Sequence, residues 1–150
     1  MILNVSDSCN LTGVSFRQLN KLQELYGEKG LKIVAVPCLQ YDASKTKELS
    51  LGKCGIRAED AIRTKFKVEY PVLRSVEING KGTCDLYKWL RANSVYFNKK
   101  IAGKKDKKDK ECTANSFMCK QIPHNFSKFL LNRNGVVVDF FEPAYFPMKM

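Results

Sequence analysis

Residues Met1–Thr12, which read MILNVSDSCNLT, decide how the rest of the chain is interpreted. An apolar run with strand composition opens the stretch, and small polar residues break it before Cys9. From Val14 to Tyr26 apolar residues recur mostly three or four positions apart, which predicts an amphipathic helix. Cys9 is therefore predicted to lie in the turn between a strand and a helix. Unpaired amides and the helix dipole favour a thiolate there, whereas the alternative is a buried, unreactive cysteine.

Composition narrows the class of protein. A chain of 150 residues, 44% hydrophobic and 27% charged, predicts one globular domain spanning residues 1–150. No apolar run of about 18 residues is present, and no secretory signal precedes the first strand, so we expect no transmembrane segment. The six cysteines form no CxxC pair, so metal-knuckle and thioredoxin-type motifs are absent. They are also too sparse for a disulfide scaffold, which favours a reducing compartment and predicts a cytoplasmic protein.

A second strand is predicted by the nearly continuous apolar run Leu31–Val36. Strand, helix and strand in this order imply a parallel pair joined by a right-handed crossover. Gln40 follows the carboxyl end of the second strand, as Cys9 follows the carboxyl end of the first. Because the carboxyl ends of parallel strands meet at one edge of the sheet, Cys9 and Gln40 are predicted to share that edge.

The remaining elements complete an α/β pattern. We expect a helix over Ala58–Val68, a strand over Val72–Ile78 and a short helix over Asp85–Leu90. Two apolar runs, 126–131 and 136–141, flank an Asn-Gly turn and predict an antiparallel hairpin. This order predicts a thioredoxin-like α/β fold, in which helices flank a mixed central sheet that ends in a C-terminal β-hairpin.

A basic loop is predicted at about residues 98–120. Between Lys99 and Glu111 the chain has seven lysines against three acidic residues, and these contribute to the formal net charge of +11. Such a run is typical of a solvated loop, and the alternative is a surface for an anionic partner. No aromatic residue interleaves the lysines, so specific nucleic-acid binding is not expected.

Several ordered motifs resemble those of the glutathione peroxidase family, the thiol or selenol peroxidases with a thioredoxin fold. Residues 4–12 (NVSDSCNLT) are similar to the family's N-V-A-S-K-C-G-L-T, and residues 36–41 (VPCLQY) to F-P-C-N-Q-F. Residues 66–71 (FKVEYP), 76–80 (VEING), 86–90 (LYKWL) and 125–130 (NFSKFL) resemble further family motifs in the same order.

The resemblance implies a cysteine peroxidase that reduces hydrogen peroxide and organic or lipid hydroperoxides. Cys9 takes the place of the peroxidatic residue, and Gln40 and Asn125 those of its amide hydrogen-bond donors. His124 stands where the family has a tryptophan. Imidazole can donate to sulfur, so His124 is predicted to be catalytic, and the alternative is a lost donor.

Other positions depart from the family pattern. The usual resolving cysteine is replaced by Arg63, and Cys54 is the candidate resolving thiol, with an idle thiol as the alternative. Residues 42–50 replace the family's G-G-Q-E-P-G loop, and Ser8 replaces a lysine beside Cys9. The opening hairpin and the final helix have no counterpart, which predicts a divergent or incomplete chain. Cys112, Cys119 and His124 lack a fourth ligand nearby, so no metal site is predicted.

The leading interpretation is thus a peroxidase that needs no prosthetic group and uses glutathione or thioredoxin as the reductant. The alternatives are a degenerate relative acting as a redox sensor, and a non-enzymatic binding module that uses the basic loop. Nothing helical is predicted after Phe141, so we also expect an exposed apolar sheet face, and with it marginal stability or self-association.

Overall fold

The computed structural model describes residues 1–42, 55–102 and 121–150. The predictions for Cys54 and for residues 103–120 of the basic loop, including Cys112 and Cys119, therefore lie outside the described residues. In the described part, no helix is both long enough and apolar enough to cross a membrane.

The first half of the chain forms a parallel β-α-β unit. Strand β1 (Ile2–Val5) leads through the Cys9 turn into helix α1 (Thr12–Tyr26), and strand β2 (Val34–Pro37) follows. β1 and β2 pair in parallel, with Val5 opposite Pro37, so both strands end at the same edge of the sheet. This edge carries the candidate site.

Three further helices and a hairpin lie in the later part of the chain that the structure describes. Helices α2 (Gly55–Phe66), α3 (Asp85–Ala92) and α4 (Val95–Ala102) precede strands β3 (Lys128–Leu131) and β4 (Val137–Phe141). The sheet order is β2-β1-β3-β4, and both β1–β3 and β3–β4 are antiparallel. The mixed sheet and the C-terminal hairpin are confirmed. Gly135 closes the hairpin at φ +80°, a left-handed conformation that glycine adopts without steric cost.

Two apolar cores cover the two faces of the sheet. On one face, Leu3 and Val5 pack with α1 and α2 through Phe16, Leu19 and Ile62. On the other face, a second cluster includes Val36, Tyr87, Leu90, Phe97 and Phe129, which brings α3 and α4 onto the sheet. Alternate residues of the central strands therefore enter opposite cores.

Three predictions about these elements are wrong. Residues 72–78 form no regular strand; a single bridge pairs Val72 with Ala35. Residues 98–102, predicted to begin the basic loop, belong to α4. The third prediction, that nothing helical follows Phe141, is wrong because a 3₁₀ turn forms at Pro147–Lys149. The Met148 amide in this turn donates to Gln18 Oε1 of α1 at 3.1 Å. This turn packs on α1, whereas self-association stays a prediction.

Candidate active site

A net of short hydrogen bonds shapes the turn that carries Cys9. The Thr12 amide donates to the Cys9 carbonyl at 2.9 Å, and Thr12 Oγ1 donates to the Ser6 carbonyl at 2.9 Å. Ser6 Oγ accepts from the Ser8 amide at 3.3 Å. These contacts fold residues 6–12 into a compact turn at the start of α1, where Cys9 is partly exposed.

A second turn, after β2, lies directly beside the first. The Cys38 amide donates to the Val5 carbonyl at 2.8 Å, which continues the β1–β2 pairing past the strand ends. Ser8 Oγ donates to the Asp42 carboxylate at 2.7 Å and joins the two turns through their side chains. The turns after β1 and β2 thus share one edge of the sheet, as the parallel pairing requires.

Three of the predicted site residues line one groove of about 490 Å³ at this edge. They are Cys9, His124 and Asn125. The other residues that line the groove are Ser6, Ser8, Asn10, Leu11, Tyr41 and Asp42. The volume lies within the range of small-molecule binding sites.

The turn that presents His124 and Asn125 is held by hydrogen bonds to β1 and β3. Phe126, at φ +66°, adopts a left-handed conformation that non-glycine residues rarely use. The Phe126 amide donates to the Asn4 carbonyl at 2.7 Å, and Lys128 Nζ donates to the Phe126 carbonyl at 2.7 Å. Such strained turns persist only when their surroundings hold them, and they concentrate at functional sites.

Gln40 does not line the groove. Its Oε1 accepts from the amides of Ile78 and Asn79 at 2.8 and 3.0 Å. Its Nε2 donates to the Asn79 carbonyl at 2.8 Å. The structure therefore brings Cys9, His124 and Asn125 together and ties the Gln40 side chain to the backbone of residues 78–79.

Asn79 holds Ile122 and Tyr41 in place beside the groove through side-chain hydrogen bonds, a role that the sequence does not indicate. Its side chain is buried and clamps Ile122: Nδ2 donates to the Ile122 carbonyl at 2.9 Å, and Oδ1 accepts from the Ile122 amide at 2.9 Å. Nδ2 also donates to Tyr41 Oη at 2.6 Å. The Asn-Gly pair at 79–80 reads as an ordinary turn signal, and no local pattern indicates a partner 43 residues away.

The ring of Tyr41 packs against the ring of His124. The two rings stack with their centroids 4.9 Å apart. Burial is the main cause that raises the pKa of Tyr41 to about 12, so its hydroxyl stays protonated at neutral pH and donates to the Ile122 carbonyl. The position of the His124 ring is thereby coupled to the Asn79–Ile122 clamp.

The second cysteine near the site is a packed thiol. Cys38 is fully buried, and its Sγ donates weakly to Gln40 Oε1 at 3.8 Å. Burial, the dominant cause, raises the pKa of Cys38 to about 11, which leaves it a neutral thiol at physiological pH. Among the three cysteines in the described ranges, Cys9 alone lines the groove.

Sequence comparison places the chain. The sequence profile described as Glutathione peroxidase matches residues 1–91. A protein named probable glutathione peroxidase 2, from Arabidopsis thaliana, is 30% identical over 152 residues, covering 99% of this chain and 73% of that protein. The chain belongs to the glutathione peroxidase family. A probable phospholipid hydroperoxide glutathione peroxidase from Nicotiana sylvestris is 29% identical over 150 residues, covering 100% of this chain and 73% of that protein.

Solved structures support the same fold. The crystal structures of Trgpx in its apo form and of T. cruzi GPX1 each superpose with a TM-score of 0.61. The first is 19% identical to this chain, and the match covers 99% of this chain and 72% of that structure. The second is 23% identical, and the match covers 99% of this chain and 73% of that structure. The predicted resemblance to glutathione peroxidases and the thioredoxin-like fold are thus confirmed.

Two departures from the glutathione peroxidase pattern turn out to be partners. Ser8 stands in place of a lysine, and Asp42 begins the segment that replaces the family's glycine-rich loop. Their 2.7 Å hydrogen bond connects the turns on either side of the groove. The two positions that differ from the family pattern are therefore in direct contact.

Proposed function

We propose that this member of the glutathione peroxidase family reduces hydroperoxides with Cys9 as the peroxidatic residue. The observation that carries the proposal is that Cys9 lines one groove with the neighbouring residues His124 and Asn125, which are distant from it in sequence. In a family of peroxidases, a partly exposed cysteine just before α1 that lines a groove with an asparagine and a histidine is the natural nucleophile.

The first step is a two-electron oxidation of sulfur. The thiolate of Cys9 attacks the distal oxygen of the hydroperoxide, an S–O bond forms, and the O–O bond breaks. The hydroxyl group stays on sulfur as sulfenic acid, and the alkoxide leaves and takes up a proton to become an alcohol, or water when hydrogen peroxide is the substrate. Donors around the sulfur stabilise the charge that moves from sulfur to the departing oxygen.

Thiols return the enzyme to its starting state. A first thiol condenses with the sulfenic acid to form a disulfide and water, and a second thiol exchanges to release Cys9 and a small disulfide. Glutathione and the dithiol of thioredoxin both supply the two electrons, and neither route needs a prosthetic group. The route through thioredoxin calls for a resolving cysteine, for which Cys54 is our candidate.

We assign the donor roles to Asn125, His124 and Gln40. Asn125 and His124 line the groove, and an amide or imidazole N–H can donate to the sulfur. Gln40 Nε2 carries two hydrogens, of which the Asn79 carbonyl accepts one. The second hydrogen is the one that we propose Gln40 offers to the reacting atoms.

Replacing Cys9 tests the proposal directly. Cys9→Ser should abolish peroxide consumption measured by stopped-flow, because a serine hydroxyl is not a competent nucleophile towards peroxide. Cys84→Ser is the matched control, since Cys84 is also partly exposed but lies outside the groove. Consumption by Cys9→Ser at the parental rate would refute the assignment.

Removing the donors tests their roles separately. Asn125→Ala and Gln40→Ala should each slow formation of the sulfenic acid by about one to three orders of magnitude. Unchanged second-order rate constants in Gln40→Ala alone would show that Gln40 only ties down residues 78–79. Oxidation of Cys9 without turnover, with either reductant, would instead favour the redox-sensor interpretation.

The cellular compartment is a separate proposal. Relatives of this chain include a putative chloroplastic and a probable mitochondrial glutathione peroxidase from Arabidopsis thaliana. We propose the cytoplasm, because a peroxidatic cysteine needs a supply of reduced thiols. Fractionation of cells followed by immunodetection of the native protein would test it.

A further inference from the structure

A buried asparagine in the middle of β1 is the feature that the peroxidase chemistry above does not use. Asn4 is 0% exposed and lies between Leu3 and Val5, which are core residues. Burying an amide costs several kcal/mol unless it is hydrogen-bonded, and a strand interior favours an apolar residue. A buried asparagine at this position is therefore expected to make hydrogen bonds that the structure or the function requires.

Asn4 contacts each residue of the turn His124–Ser127, called the donor turn because it carries the candidate donors His124 and Asn125. Its backbone amide donates to the Ser127 carbonyl at 3.3 Å, and its carbonyl accepts from the Phe126 amide at 2.7 Å. Its side-chain Nδ2 donates to the His124 carbonyl at 3.0 Å and, more weakly, to Asn125 Oδ1 at 3.5 Å. One side chain thus fixes both the turn and the amide of Asn125.

The direction of the last contact has a chemical consequence. A primary amide has an acceptor end and a donor end, which differ only by rotation of the group through 180°. With Asn4 donating to Oδ1, the carbonyl end of Asn125 faces β1 and the N–H₂ end is left for the groove. The reverse orientation would point a carbonyl dipole at the thiolate and oppose its formation.

We propose that Asn4 is a positioning residue that sets the orientation of the Asn125 amide and so presents N–H donors to Cys9. The inference rests on the proposed role of Asn125 in the peroxidase reaction. Asn4 itself acts through Asn125 and does not line the groove.

Asn4→Asp is the sharpest test, because it keeps the shape of the side chain and replaces the donor with an acceptor. We expect Asn125 to turn its N–H₂ end towards the introduced carboxylate, and the second-order rate constant of Cys9 oxidation to fall 10- to 100-fold. Asn4→Ala, which removes the donor without adding a charge, should slow oxidation about 10-fold and remains informative if the aspartate variant does not fold.

Ser127→Ala provides the matched control. Ser127 is equally buried and its Oγ donates to the same His124 carbonyl at 2.9 Å, whereas the hydrogen bond to Asn125 Oδ1 comes from Asn4. This variant should lose stability in urea unfolding while its oxidation rate stays within threefold of the parent. A rate loss in Ser127→Ala as large as that in Asn4→Ala would show that Asn4 only supports the turn, and would overturn the proposal.

A double-mutant cycle separates positioning from a structural role. If Asn4 acts through Asn125, Asn4→Ala should slow oxidation less than twofold in an Asn125→Ala background. Fully additive losses would overturn the inference while leaving the peroxidase proposal intact. Failure of the proposed function would instead appear as an unchanged rate in Cys9→Ser or in Asn125→Ala alone.

Discussion

Replacing Asn79 with alanine should damage stability and peroxide reduction together. The substitution leaves the Ile122 amide, a buried donor, without its 2.9 Å partner, and removes the bonds from Asn79 Nδ2 to Tyr41 and Ile122. One buried group without a partner costs about 1–3 kcal/mol, and each lost hydrogen bond about 1 kcal/mol. We therefore expect the free energy of unfolding to fall by roughly 3–5 kcal/mol, a large part of the stability of a small domain.

The loss of activity follows from the position of Ile122. Released from Asn79, the segment that leads into His124 and Asn125 is free to shift relative to Cys9. A displacement of about 1 Å can cost about 100-fold in rate, so a decrease of at least tenfold in Cys9 oxidation is expected.

Urea unfolding and stopped-flow oxidation would measure the two effects. Asn93→Ala is the control, because Asn93 is exposed and its side chain makes a 2.9 Å bond to the Trp89 carbonyl at the end of α3. It should change stability by less than about 1 kcal/mol and leave the rate unchanged. An Asn79→Ala protein as stable and as fast as this control would refute the reasoning.

Two further predictions concern His124 and Lys128. His124→Phe keeps a ring to stack on Tyr41 but removes the N–H, so oxidation of Cys9 should slow at least tenfold. His124→Trp keeps both a ring and an N–H, so its rate should stay within threefold of the parent. Equal rates in all three proteins would show that His124 is a packing residue only. Lys128 is fully buried, and burial lowers its pKa to about 8, so between pH 8 and 10.5 the unfolded chain retains a proton that the folded chain has released. The parent should therefore gain roughly 2–3 kcal/mol of stability relative to Lys128→Met between pH 7 and pH 10 in urea titrations, and parallel pH profiles of the two proteins would contradict this. Comparison with the variant cancels the contributions of Cys38 and the buried tyrosines, which have the opposite sign.

The local parts of the fold were accessible from the sequence. Apolar periodicity predicts α1, and the Asn-Gly turn predicts the hairpin of β3 and β4, because both depend on residues close in the chain. The pairing of β1 with β2 also places the turns of Cys9 and Gln40 at one edge. The prediction of a strand at 72–78 is wrong because alternation alone does not provide a partner, and β2 accepts only a short contact there.

The contacts that shape the site were not accessible in this way. Asn4 and Asn79 read as unremarkable polar residues, since their partners are 120 and 43 positions away. The same holds for the bond between Ser8 and Asp42, which joins two positions that are unusual for the family. Side-chain orientation, as in the amide of Gln40, depends on backbone groups that no sequence motif specifies.

The central position of β1 in the sheet has a consequence for the order in which parts of the protein can fold during synthesis. β1 leaves the ribosome long before β3, the strand with which it pairs, and Asn4 meets its partner at His124 only after 120 further residues. Contacts of such long sequence separation form slowly and late. A nascent chain can therefore hold the Cys9 turn long before the donor turn exists, and full reactivity towards peroxide should appear only when the hairpin of β3 and β4 has folded onto β1.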